Sequence, residues 1–439
     1  MAAAILLPTL GLTSAAGAAP PPNVPSASTM RAQADRDSAA GFARIKAGKT
    51  ASFDDCVAQA AKPKPKKGVV PCSRPLTPDE INPADRDAML ADIERDLGAP
   101  PPEPEPADDG SVTANAVAPG DGPPKTMICP VDGHRFEGRM KSCSIYNWMT
   151  RYVEFGPNGA WVIGESFQTA VEWDQLSSTN RSWTHHLTIR VHNHSWGDAV
   201  NGIWVWTTMR CSFPCQVSGE SGGWKWVWVP KSQNQYGSGT LTANLSATGD
   251  YFDHNSNIYT KSPRTDPNLY ATALTNSPDV IRCDKMSYVS TAVIGGCAYY
   301  RQPGYLKLRL SDTTTTESAR FVFDTQRSLP GHPGVLGWPA LTRATPDQQA
   351  ANDAARRGPC DIARAAFALT DPTPEVRKDC DEYPFQSTAQ GAASGLIKVH
   401  WDIKILNAAH NQKVGNMLSV LYATERFHYG DHFYVQFTL

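Results

Sequence analysis

The run Asp379-Cys380-Asp381-Glu382-Tyr383-Pro384-Phe385-Gln386-Ser387-Thr388 sets adjacent carboxylates beside a cysteine and a stiff Tyr-Pro turn. Carboxylate oxygens are the hard donors that Mg2+ or Mn2+ takes, and a cation so held neutralises charge developing on a phosphoryl oxygen. In such chemistry Asp381 and Glu382 would divide the work, one as metal ligand and one as general base or support for the ligand. An Asp-Glu pair standing alone equally describes a solvated loop. The rest of the chain has to decide between the two.

Other chemistry-bearing residues read more plainly. His185, His186, His192 and His194 resemble a metal set, but on a strand His192 and His194 share a face while His185 and His186 point oppositely. No carboxylate stands in step with them, so ordinary surface or hydrogen-bonded histidines are expected. The ten cysteines fall as neighbours: Cys56/Cys72, Cys129/Cys143, Cys211/Cys215, Cys283/Cys297 and Cys360/Cys380. Cys211-Ser-Phe-Pro-Cys215 has the look of half a zinc site without a second half, and disulfides are the expected reading, paired in sequence order.

The elements that would position these groups fall into zones. Met1 to Ala19 carries a short apolar run ending in small residues, the pattern of a cleavable export signal, though without a positive leading segment. Export and an extracellular location follow as expectations, and no later stretch has the length of a membrane span. Residues 20–125 are proline-rich and of low complexity, with helical islands near Met30–Ala61 and from Thr77 to Leu97 separated by Lys62-Pro63-Lys64-Pro65-Lys66-Lys67. Such a tract is either a pro-region that is later removed or a stalk.

Residues 126–310 alternate apolar and polar positions in short segments: Trp161-Val162-Ile163, Leu187 to Val191, Ile203 to Trp206 and Trp224 to Val229. Gly156-Pro157-Asn158-Gly159 is among the turns between them. That period, rich in β-branched and aromatic residues, predicts an all-β, sandwich-like unit in which Trp204, Trp206, Trp224, Trp226 and Trp228 serve mainly as core rather than as a ligand platform. Residues 311–439 mix periods. Helices are expected over Ser318–Ser328, Asp347–Arg357 and Val414–Arg426, with strands at Ile397–Val399, Trp401–Ile405 and His432–Thr438, giving a small α+β unit.

Within that last zone, Cys380-Asp381-Glu382-Tyr383-Pro384-Phe385-x-Ser387-Thr388-x-x-Gly391-Ala392 resembles the signature of the NucA/NucB deoxyribonucleases. Two further blocks support the resemblance, one running from Asn407 through His410, Asn411, Gly415, Tyr422 and Arg426 to Val435, the other from Asp324 to Pro333. The resemblance implies Mg2+- or Mn2+-dependent cleavage of DNA with Asp381 and Glu382 at the active site and Asn411 orienting a metal-bound water or a phosphate. His332 or His410 would activate water near neutral pH, and Lys413 and Arg426 would grip phosphate.

One departure stands out: relatives tend to carry a His-Ile pair where this chain has Phe321-Val322, which implies a slow or inactive member if that histidine is catalytic. Charge gives little help. Residues 311–439 hold 12 Lys and Arg against 14 Asp and Glu, a net of −2, so phosphate binding depends on how charge is segregated or on a cation. The expected activity is phosphodiester hydrolysis of extracellular DNA. The competing readings are a glycan- or cell-wall-binding module that has lost catalysis, and a secreted nuclease toxin.

Overall fold

The computed structural model describes residues 69–76, 133–157, 159–221, 226–246, 248–265, 269–275, 279–289, 294–370 and 378–439, together with 80, 83 and 84. The expected leader at 1–19, the helix near 30–61, all but three residues of the helix at 77–97, Cys56, Cys129 and Trp224 lie outside them.

Alternation of apolar and polar side chains builds strands because each face of the ribbon meets a different environment. Strands β1 (Val69–Pro75), β2 (Gly133–Glu137), β3 (Lys141–Gly156), β4 (Gly159–Gln175), β5 (Ser182–Val191) and β6 (Trp196–Gly197) come first. They are followed by β7 (Gly202–Cys211), β8 (Cys215–Ser221), β9 (Val227–Pro230) and β10 (Asn234–Ala243). One antiparallel sheet runs β1-β3-β4-β5-β10-β8, with β2 added to β3 and β6 to β4. The turn expected at residues 156–159 closes the long β3–β4 hairpin, with Gly156 opposite Gly159.

The next strands are β11 (Asp250–Phe252), β12 (His254–Lys261), β13 (Ala271–Leu274), β14 (Ile281–Asp284) and β15 (Gly296–Tyr299). A four-stranded sheet runs β13-β12-β7-β9 and a three-stranded one β11-β14-β15. Tyr152, Ala170, Leu187 and Ile189 of the first sheet share one apolar cluster with Ile203, Val205, Val229 and Ile258 of the second. On the far face of that second sheet Trp204, Trp206 and Trp226 are buried with Tyr259, and Trp228 packs against them half-buried. The described tryptophans of this set are therefore packed among one another, as the period implied.

Val69–Pro75 departs from the low-complexity reading of residues 20–125. It is the edge strand β1, paired along its length with β3, and Val69 and Cys72 are buried. A short apolar-polar run inside a proline-rich tract escaped notice because its partner lies more than seventy residues away. Removal of the whole tract would strip a strand from the sheet.

The C-terminal part begins with β16 (Gly304–Arg309) and continues through α1 (Thr316–Ser328), β17 (Leu341–Thr342), α2 (Pro346–Thr370), β18 (Lys378–Tyr383), β19 (Asp402–Asn407), α3 (Ala408–Thr424) and β20 (His432–Thr438). β16 and β20 pair in parallel with β17 on the other edge of β20, while β18 and β19 form a separate antiparallel pair. α2 passes its expected end at Arg357 and continues to Thr370, with Cys360 tied to Cys380. α3 starts six residues earlier than its apolar period suggested, because the Asn407 side chain accepts a hydrogen bond from the Ala409 N–H (2.9 Å) and caps the helix. Ile397–Val399 is not a strand; Ile397 makes one isolated bridge to Trp401 before β19.

The two parts are joined by buried charge. Arg426 pairs with Asp284 and donates to the Ser178 carbonyl (2.6 Å), while Arg282 and Arg139 both pair with Asp431 at 2.7 Å. Three disulfides match the expected neighbours, Cys211–Cys215, Cys283–Cys297 and Cys360–Cys380. Cys72 and Cys143 are also disulfide-bonded. Among the described residues no helix is long and apolar enough to cross a membrane.

Candidate active site

β18 carries the acidic run, and strand geometry sorts its side chains. Asp381 turns toward α1, where the Ser318 hydroxyl donates to its Oδ2 at 2.5 Å. Asp379, two residues back on the same face, accepts from the Asn411 amide of α3 at 3.1 Å. Glu382 turns the other way and meets Arg356 of α2 at 3.3 Å, on the side where Cys380 is bonded to Cys360. Adjacent in sequence, Asp381 and Glu382 therefore occupy opposite faces of one strand. The structure does not bring the two carboxylates expected at one cation to a common point; Asp381 shares the α1/α3 face with Asp379 and Asn411.

Both carboxylates are less than a tenth exposed. Burial pushes Asp381 up to about 7 even though Ser318 hydrogen-bonds its charged form. Burial also pushes Glu382 up to about 7, against the opposing pull of the Arg356 guanidinium. A carboxyl poised near neutrality is the group that can exchange a proton at working pH or take up a cation.

The first turns of two helices converge on this face. The Glu317 carboxylate accepts from the Asn407 N–H (2.8 Å), and the Glu317 N–H donates to His410 Nδ1 (3.4 Å). That arrangement leaves the ring proton of a neutral His410 on Nε2. Helix N-termini carry partial positive charge that favours anions. Lys404 lies directly across the β18–β19 register from Asp381 and is exposed. Sequence inspection missed it; the alternating segment Trp401–Ile405 held the signal, but only the pairing register brings Lys404 to Asp381. Lys413 is exposed on α3 near Asp312, whose carboxyl is lowered mainly by hydrogen bonds from Thr314 and, further, by the Lys413 charge.

Other expected site residues lie elsewhere. His332 lies four residues beyond the end of α1 at Ser328, bonded to the Gln326 carbonyl at 3.2 Å and set edge-on to Trp338. Ser318 and Ser328 are about 15 Å apart along the helix axis, so His332 does not join Asp381. Arg426 is fully buried and held by Asp284, which removes it from any phosphate. Phe321 is a core residue, packed with Leu418 and Phe433 in the apolar cluster beneath the site. The histidine reading also needs correction. His185 does have carboxylates, because β4 supplies Asp174 directly opposite it in the register and Glu172 two residues away. A walk along one segment cannot show a partner that arrives from the neighbouring strand.

Residues 337–436 match the family model described as Deoxyribonuclease NucA/NucB. This stretch is a NucA/NucB deoxyribonuclease domain. The match spans β17 to most of β20 and contains Asp381, Glu382, Lys404, His410 and Asn411, whereas α1 with Ser318 and Phe321 precedes it. The chain has no significant match among curated proteins or solved structures. The NucA/NucB domain thus takes one of the hydrogen bonds on its buried Asp381 from a helix outside the matched interval.

Proposed function

We propose that the protein is an exported endonuclease that hydrolyses phosphodiester bonds of DNA at the Asp381 face of β18, with a divalent cation. The observation that carries this reading is a buried carboxyl, raised to about 7, beside two helix N-termini within the NucA/NucB match. The donor set suits a hard cation. Asp379, the Asn411 amide oxygen and Asp381 are all oxygen donors, and among the described residues Asp381 is paired with no cationic side chain, unlike Glu382 with Arg356 and Asp379 with Arg364 at 3.5 Å. These residues would hold Mg2+ or Mn2+, which when bound neutralises charge building on the phosphate.

The chain's own groups have distinct tasks. With Oδ2 of Asp381 engaged by Ser318, its Oδ1 is the atom to accept a proton from the attacking water. His410 Nε2–H is the atom to donate toward a phosphate oxygen. Lys404 supplies exposed positive charge for the DNA backbone together with the expected Lys413, while the equally expected Arg426 is buried and takes no part. Glu382, locked to Arg356, fixes the strand rather than touching substrate. Export is supported by the absence of free cysteines among the described residues, since disulfides persist in oxidising surroundings. The test is plasmid nicking by the purified full chain. Nicking with Mg2+ or Mn2+ and none with EDTA is expected; no nicking under any metal would refute the reading.

A further inference from the structure

The β-rich part holds a second cluster of metal-type donors, well outside residues 337–436. Asp174 on β4, His185 on β5 and His254 on β12 place one donor atom each within 4.8 Å of the others. We propose that Asp174, His185 and His254 form a closed structural site for a zinc-type divalent cation that pins the eight-stranded sheet to the four-stranded one.

Geometry, surroundings and burial support it. The two oxygens of Asp174 face different imidazoles, Oδ1 lying 2.9 Å from His185 Nδ1 and Oδ2 2.8 Å from His254 Nε2. A carboxylate engaged through both oxygens with two imidazoles makes four donors, the number a structural zinc site uses. The rings stand edge to face with centroids 5.2 Å apart. Two imidazoles sharing a tetrahedral ion at about 2.0–2.1 Å have centroids roughly 5 Å apart.

The surroundings match as well. His185 Nε2, the nitrogen turned away from Asp174 Oδ1, is 3.3 Å from Glu172 and 3.1 Å from the Ser256 hydroxyl. An outer carboxylate on the second ring nitrogen is how metal-bound histidines are oriented. Asp174 is steadied in turn by the Trp183 indole N–H (3.2 Å) and the Tyr299 hydroxyl (3.3 Å). All three donors are no more than 3% exposed, which fits a closed, structural site and not one open to substrate.

Imidazole donors also set this site apart from the all-oxygen face at Asp381. They select zinc-like ions, whereas Mg2+ keeps to oxygen. The location explains the role: His254 comes from the four-stranded sheet, and Asp174 and His185 from neighbouring strands of the other.

The experiment is metal analysis of the purified full chain, disulfides intact, followed by unfolding in guanidinium with chelator and refolding with Zn2+, with Co2+ or with neither. About one equivalent of a zinc-type ion is expected in the purified protein, resistant to EDTA until unfolding. Refolding with Co2+ should give the visible absorption of a four-coordinate ion, and refolding without metal should lower the melting temperature. Asp381→Asn should retain the ion, while His254→Gln loses it. The proposal is overturned if the purified chain holds no such ion and refolds to the same melting temperature with and without Zn2+, colourless with Co2+. His185 would then be an imidazolium clamped between Asp174 and Glu172.

Discussion

Asp284 and Asp431 are buried against arginines, whereas Asp381 and Glu382 are buried with far less positive charge around them. Hydrogen bonds and charge from His428 and Arg426 hold Asp284 well below the usual carboxylate range despite its burial, and Arg282 and Arg139 lower Asp431 in the same way. At Asp381 burial prevails and the pKa climbs to about 7. The same residue type, buried in both places, is thus a charge-paired joint in one and an uncompensated carboxyl, the proposed reactive group, in the other. What differs is whether the fold supplies the compensating charge or leaves it to come from solution.

The largest effect should come from breaking the joint. Asp284→Asn leaves Arg426 and His428 without their anion, and removing one member of a buried pair costs about 3–5 kcal/mol. Urea unfolding should show that loss near neutral pH. Because Asp284 and Asp431 are lowered, the stability they confer is present above about pH 4 and fades as pH falls further. A loss under about 1 kcal/mol would mean that the joint is not compensated as described.

A smaller effect is expected from the covalent tie beside the acidic run. Cys360 and Cys380 are 20 residues apart in sequence, and opening that loop with paired serine substitutions should lower stability by about 3 kcal/mol. Denaturant titration of the oxidised and substituted chains measures it directly. An unchanged midpoint would show that β18 is held to α2 by packing and the Glu382–Arg356 pair alone.

The smallest and most discriminating stability effect concerns Asp381, and its sign is opposite. A raised pKa means the folded protein keeps a proton that the unfolded chain releases near pH 4. Stability therefore falls between about pH 4 and pH 7 and stays lower above. Asp381→Asn removes that penalty, so the variant should be more stable than the parent by on the order of 1–2 kcal/mol at pH 8 in EDTA, with the gain vanishing near pH 4. Thermal melts across pH check this, and a variant less stable at pH 8 would contradict it.

Much of this architecture was legible in the residues, and the gaps share one cause. The alternating segments around Leu187 and Ile203 became β5 and β7, and the last strand ends where its period does, at Thr438. The motif around Asp381 falls on β18. Information that depends on a partner far away in sequence was invisible: Lys404 opposite Asp381, Asp174 opposite His185, and Asp284 beneath Arg426. The divergence of Asp381 from Glu382 was available in principle, since neighbours on a strand always point apart, but it required recognising residues 378–383 as a strand.

The central claim is that Asp381, left without a built-in cation, is the reactive carboxyl of a deoxyribonuclease. Plasmid nicking by Asp381→Asn in Mg2+ near pH 7.5, with folding verified by the melt above, tests it most directly. The account predicts a rate at least about 100-fold below the parent, the scale of a lost general base. A folded Asp381→Asn protein nicking within about twofold of the parent, free of contaminating nuclease, would place the chemistry elsewhere.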